Sequence, residues 1–145
     1  MRVAVVYWSA TGNTEAMAEE VALGVRDAGA EVLLAEMSEV KADDIATYDR
    51  IILGAPAMGI EEVEEFEVRP FTEALLPSLD GKEVGLFGSC GWSRGEWLLK
   101  WAKELAAAGA TFLHAPVRGV GYPDADVLAE CRELGVVMGT VYPEA

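Results

Sequence analysis

Val3-Ala4-Val5-Val6-Tyr7-Trp8-Ser9-Ala10-Thr11-Gly12-Asn13-Thr14 sets the pattern for the whole chain. The apolar run 3–7 reads as a strand buried on both faces. From Thr14 the pattern turns helical, with Met17, Val21 and Val25 on one stripe and Gly29 as the stop. A Gly-containing turn between strand and helix aims several backbone N–H groups at one point, where the helix end adds partial positive charge. Ser9, Thr11 and Thr14 add hydroxyls and Asn13 an amide. Such a set suits a phosphate. Residues 8–14 contain no Lys or Arg, so the dianion would rest on neutral donors and the helix end. The turn is neither G-x-x-x-x-G-K-[ST] nor G-x-G-x-x-G, and it also suits an ordinary junction with an N-cap threonine.

Short apolar runs alternate with helical patterns along the rest of the chain. Strands are expected at 31–36, 49–54, 83–87 and 111–118, the last interrupted near Pro116. Asp43 and Asp44 are candidates to cap a short helix through about Tyr48. Pro70 fits the first turn of another helix, which must end before Pro77. A helix over 95–108 carries Trp97, Trp101 and Leu105 on one face, read as core packing. Asp124 caps a last helix with Val127, Cys131, Leu134 and Met138 at helical spacing. Five βα units predict an α/β domain over residues 1–145: a doubly wound parallel sheet of order 2-1-3-4-5 with helices on both faces.

Composition narrows the function. With 52% apolar residues the chain should fold, and no run approaches the ~18 apolar residues of a membrane span. Met1-Arg2 leads straight into the first strand without a signal-peptide h-region, so a cytoplasmic location is expected. Cys90 and Cys131 suggest no disulfide framework, and with His114 as the lone histidine there is little for a metal site. Cys90 and His114 are read as structural. A net charge of −14 disfavours nucleic acid and anionic membranes and favours basic partners.

In the 2-1-3-4-5 order, ligands bind outside the carboxyl ends of the strands where the order reverses. The loops that follow strands one, three and four are the unusual ones: 8–14, 55–62 and 88–95. The second reads Ala55-Pro56-Ala57-Met58-Gly59-Ile60-Glu61-Glu62, and the third Gly88-Ser89-Cys90-Gly91-Trp92-Ser93-Arg94. All three converge on one crevice.

Together, S-x-T-G-x-T, A-M-G-x-E and F-G-S-x-G-W resemble the short-chain flavodoxins over essentially the whole chain. No long insertion splits the fifth strand, as one does in long-chain members. The resemblance implies a non-covalent FMN, its phosphate on Ser9, Ala10, Thr11, Gly12, Asn13 and Thr14. The isoalloxazine would lie between Pro56, Ala57, Met58, Gly59, Ile60 and Glu61 on one side and Ser89, Cys90, Gly91 and Trp92 on the other. Trp92 would stack on the outer face and Met58 on the inner, which suits a flat conjugated ring. Glu61 would accept from flavin N3–H, and backbone groups around Ser89, Cys90 and Gly91 would meet the pyrimidine edge.

The resemblance also implies a low-potential one-electron carrier, without a catalytic residue or metal. It would shuttle between semiquinone and hydroquinone, and Gly59 would turn a carbonyl toward reduced N5. Each fixed negative charge ~10 Å from the hydroquinone costs roughly 1.7 kcal/mol at an effective dielectric of about 20, or about 70 mV for one electron. Glu61, Glu62, Glu64, Glu65 and Glu67 supply such charges. Ile60 and Pro56 depart from common family residues, which bears on the N5 turn and on one phosphate donor. The implied partners are reductases and iron–sulfur or haem enzymes with basic docking surfaces, and a monomer is expected. The alternatives are a flavodoxin-like FMN enzyme or dedicated activator, and a non-redox domain of the same fold.

Overall fold

The computed structural model describes residues 1–10, 12–57, 64–91 and 95–143. Strands β1 (Arg2–Tyr7), β2 (Glu31–Glu36), β3 (Arg50–Pro56), β4 (Glu83–Cys90), β5 (Thr111–Phe112) and β6 (Val117–Val120) make one parallel sheet. Its order is β2-β1-β3-β4-β5, with β6 also paired to β4. The helices are α1 (Asn13–Asp27), α2 (Ala42–Ile45), α3 (Val68–Leu75), α4 (Glu96–Ala107) and α5 (Ala125–Gly139). This is the doubly wound α/β order expected from the alternation.

Period-two alternation along the strands divides the core in two. Ala4, Val6, Ile51, Leu53 and Leu86 pack with Phe71, Leu75, Trp97, Trp101 and Leu105 of α3 and α4. Val3, Val5, Tyr7, Ile52 and Phe87 pack with the α1 stripe Met17, Val21 and Val25 and with Cys131, Leu134 and Met138 of α5. Trp97 and Trp101 are buried and stacked 6.3 Å apart, and Trp101 Nε1 donates to Thr72 Oγ1, so this pair is core. Helices α1 and α5 meet backbone to backbone. A β-carbon on Gly135 would fall 2.0 Å from the Val21 carbonyl oxygen, and one on Gly24 2.2 Å from that of Arg132.

Several local expectations are corrected. Asp43 and Asp44 do not cap α2: extended Lys41 precedes it, and both aspartates lie in its first turn, where their charge still favours the helix N-terminus. Residues 88–90 belong to β4 rather than to a loop, because β6 pairs with all three and β3 with Gly88 and Ser89. β3 likewise runs on through Ala55 and Pro56. The fifth strand is in two pieces, as expected near Pro116, since residues 113–116 leave the ladder between β5 and β6. α3 starts at Val68, so Pro70 stands in its first turn as expected, and Pro77 falls in the 3-10 turn Leu76–Ser78. Asp124 caps α5 as expected, accepting from Val127 N at 2.9 Å.

At the far end of the sheet, buried Arg50 ties β3 to the end of α5. Its Nε donates to Glu83 at 3.2 Å, and its Nη1 donates to the carbonyls of Met138 and Thr140.

Candidate functional site

The carboxyl ends of β1, β3, β4 and β6 open onto a cleft of about 250 Å³ lined by Ala10, Asn13, Pro56, Ala57, Ser89, Cys90, Gly91 and Gly121. Seven of these were expected from the sequence and come from all three loops. Thr11, Met58, Gly59, Ile60, Glu61, Glu62 and Trp92 lie outside the described residues.

The first loop is built by Gly12. It is the N-cap of α1 at φ 95°, a left-handed conformation that favours glycine. The helix therefore opens at a glycine rather than at a threonine N-cap. Ser9 Oγ accepts from Gly12 N at 3.1 Å, which closes the turn and leaves the Ser9 hydroxyl hydrogen to donate. Thr14, expected among the phosphate donors, also has a partner within the fold. It is buried, and its Oγ1 shares a 2.8 Å hydrogen bond with Ser89 Oγ. The pair stitches the first loop to the end of β4 and gives both buried hydroxyls a partner.

The second and third loops are registered by main-chain bonds. Ala57 N donates to Ser89 O, and Gly121 N donates to Cys90 O, each at 2.8 Å. Gly121, left-handed at φ 65°, was missed by the sequence reading. The available signal was a glycine directly after the strand that neighbours β4. Cys90 is buried at a strand end with Sγ 3.5 Å from Gly119 O. His114 holds a structural place, with Nδ1 2.7 Å from Ala115 O and Nε2 3.6 Å from Glu133.

The Tyr7 hydroxyl, at the end of β1, is pushed above its ordinary pKa by burial and then by Glu15, Glu36, Glu19 and Glu39. Glu64 is not the solvated carboxylate its acidic surroundings suggest. It is buried and accepts from the backbone N–H of Phe66 (2.6 Å), Glu67 (2.7 Å) and Val68 (3.0 Å). Burial raises its pKa, but these three donors more than offset that and hold it below the ordinary glutamate value. Among the described residues, no cluster could hold a metal ion and no helix is long and apolar enough to cross a membrane.

A doubly wound parallel sheet with a cleft at the strand-order reversal, beside a helix that opens at a glycine, places the protein in the open α/β class whose ligands bind at that point. Comparison with known proteins narrows the class. The family profile for flavodoxin matches residues 5–135. The chain is 47% identical over 133 residues to a flavodoxin of Megasphaera elsdenii, covering 92% of this chain and 95% of that one. It is 39% identical over 131 residues to a flavodoxin of Clostridium beijerinckii, covering 90% and 94%. The solution structure of the two-electron reduced M. elsdenii flavodoxin superposes with a TM-score of 0.85 at 45% identity, covering 94% and 98%. An archaeal flavodoxin structure gives 0.85 at 29% identity, covering 96% of each chain.

The chain belongs to the flavodoxin family. It is accordingly a small FMN-carrying electron-transfer protein rather than an enzyme. The described residues fit the phosphate end of that cofactor. The described part of the turn carries no charged side chain, the α1 N-cap is a glycine, and among the described residues a β-carbon at Gly12 would meet nothing within 4 Å.

Proposed function

We propose that this chain carries single electrons at low potential, working mainly through the more reduced of the two one-electron couples of its FMN. FMN supplies the one-electron chemistry; the chain supplies binding, a charged surround and access. Residues 1–145 act as one FMN-binding domain. Ser9, Ala10, Thr11, Gly12, Asn13 and Thr14 would hold the phosphate, Thr14 from behind through its bond to Ser89. Pro56–Glu61 and Ser89–Trp92 would frame the ring, with Met58 and Trp92 on its faces and Glu61 at its N3–H.

The observation that carries the low potential is electrostatic. No cation stands in residues 8–14 to neutralise the phosphate, and glutamates stand at 61, 62, 64, 65 and 67 in or just after the second loop. A second electron entering this field is opposed by it, so the second potential falls. The same acidic rim suits basic docking surfaces on redox partners, such as reductases and iron–sulfur or haem enzymes. We read the protein as a cytoplasmic monomer.

Anaerobic titration of FMN with apo-protein tests this reading. One-to-one fluorescence quenching is expected, weakened by Trp92→Ala, followed by a second reduction potential below that of free FMN that rises with added salt. Absence of quenching refutes the assignment of the cleft. A second potential at or above that of free FMN refutes the electrostatic account.

A further inference from the structure

We propose that Phe66 and Tyr122 are apolar docking points for a redox partner, and that this partner presents an apolar patch ringed by lysine or arginine beside its own cofactor. The inference rests on the FMN reading of the cleft and adds the contact chemistry of the partner.

Topology puts both residues at the cofactor end. Phe66 stands in the connection from the carboxyl end of β3 to α3, and Tyr122 in the connection from the carboxyl end of β6 to α5. In a parallel sheet these connections lie at the end where the cleft opens. Tyr122 directly follows Gly121, which lines that cleft. The two side chains are 81% and 72% exposed, the most exposed aromatics among the described residues. The next, Tyr142 at 46%, stands at the far end and is engaged within the fold. Its hydroxyl donates to Val137 O at 3.1 Å, and the Arg50 guanidinium lies 5.5 Å from its ring. Neither the Phe66 ring nor the Tyr122 hydroxyl has such a partner among the described residues.

The main chain under each ring is held. Phe66 N donates to Glu64 Oε1 at 2.6 Å, and the next N–H, of Glu67, donates to Oε2 at 2.7 Å. Gly121 N donates to Cys90 O at 2.8 Å on one side of Tyr122, and Pro123 fixes its own φ on the other. Aromatic side chains presented on fixed backbone are the pre-organised anchors that dominate binding energy in protein interfaces.

Charge selects the partner. Glu65 and Glu67, both exposed, flank Phe66, and the chain carries −14 overall. Apolar contacts in an acidic surround fit an apolar patch with a basic rim and repel an acidic one. Salt screens the attraction between the rims but leaves the burial of the rings in place.

The test uses cytochrome c as probe, because lysines ring its exposed haem edge. Anaerobically reduced holoprotein passes one electron to the ferric haem, which becomes ferrous, and stopped-flow absorbance gives the second-order rate constant at low and high ionic strength. Phe66→Ala and Tyr122→Ala are each expected to slow this step about fivefold at both, with FMN affinity and both potentials unchanged. Phe66→Tyr and Tyr122→Phe keep the ring and should keep the wild-type rate. Glu65→Gln and Glu67→Gln should slow it at low ionic strength alone. Wild-type rates for both alanine variants at high ionic strength overturn the proposal and leave the FMN reading intact. Slowing that follows a changed potential or FMN affinity does the same. Wild type that fails to bind FMN overturns both. Sedimentation should find wild type and Phe66→Ala alike monomeric; a wild-type dimer that this substitution dissolves makes the patch a self-association face and overturns the partner.

Discussion

Replacing Gly135 by alanine sets two effects of opposite sign against each other. In an exposed helix interior, glycine to alanine stabilises by ~1 kcal/mol. Gly135 instead faces α1, and its added β-carbon would lie 2.0 Å from Val21 O and 2.9 Å from both Gly24 Cα and Val25 N, against 3.4 Å or more for ordinary contact. All three obstructing atoms are backbone, so no rotamer change relieves them, and the helices must part by on the order of 1 Å. Overpacking of this severity costs about 3 kcal/mol, the upper end of its usual range. The net expectation is destabilisation by about 2 kcal/mol. With a urea m-value of roughly 2 kcal/mol/M, the unfolding midpoint of apo-protein should fall by about 1 M at unchanged slope. FMN affinity should fall as well, because α1 begins at the turn closed by Gly12 and Ser9. A midpoint that stays constant or rises would show that propensity wins and that the two helices are not in backbone contact.

Thr14→Val leaves the buried Ser89 hydroxyl without its partner and should cost about 1–3 kcal/mol in urea unfolding, whereas adding Ser89→Ala should restore part of the loss. Arg50→Met removes the donor to the Met138 and Thr140 carbonyls and unpairs Glu83; a loss of about 3 kcal/mol is expected by the same assay. Because the folded-state pKa of Glu64 is lowered, its contribution is present above the unfolded value near 4.5 and is lost as pH falls through the folded value. Stability of Glu64→Gln should therefore decline less than that of wild type over this acid range. Burial, with Glu130 and Glu20, pushes the Cys131 thiol up to about 12. In a Cys90→Ser background, thiol labelling at neutral pH should follow the unfolding curve, and fast labelling of native protein would contradict the burial.

The sheet order was readable because strands and helices carry different hydrophobic periods and parallel crossovers have one hand. The three converging loops were readable for the same reason: order alone brings the ends of β1, β3 and β4 together. What escaped the sequence depends on pairings between distant segments. Gly88-Ser89-Cys90 carries loop punctuation, yet β6 holds all three in the ladder and β3 the first two. Gly24 and Gly135 look like unremarkable helix interior until the two helices meet. Glu64 sits in an acidic run in which any member could turn its carboxylate back toward α3. Only the start of that helix at Val68, two residues ahead of Pro70, selects it. The bond of Thr14 to Ser89 was not legible because it joins residues 75 apart in sequence.

The split fifth strand bears on how such a domain can grow. β5 pairs with β4 at Val84 and earlier, and β6 pairs with it from Phe87 onward, so each piece has its own register. Extra chain spliced into residues 113–116 would neither shift a ladder bond nor invert the facing of a side chain. Its main cost would be loop-closure entropy, which rises by only ~0.6 kcal/mol for each doubling of length. The cleft gains contacts from Gly121 beyond β6, downstream of that join. The gap is therefore a seam at which length can be added while the cofactor end of the sheet keeps its geometry.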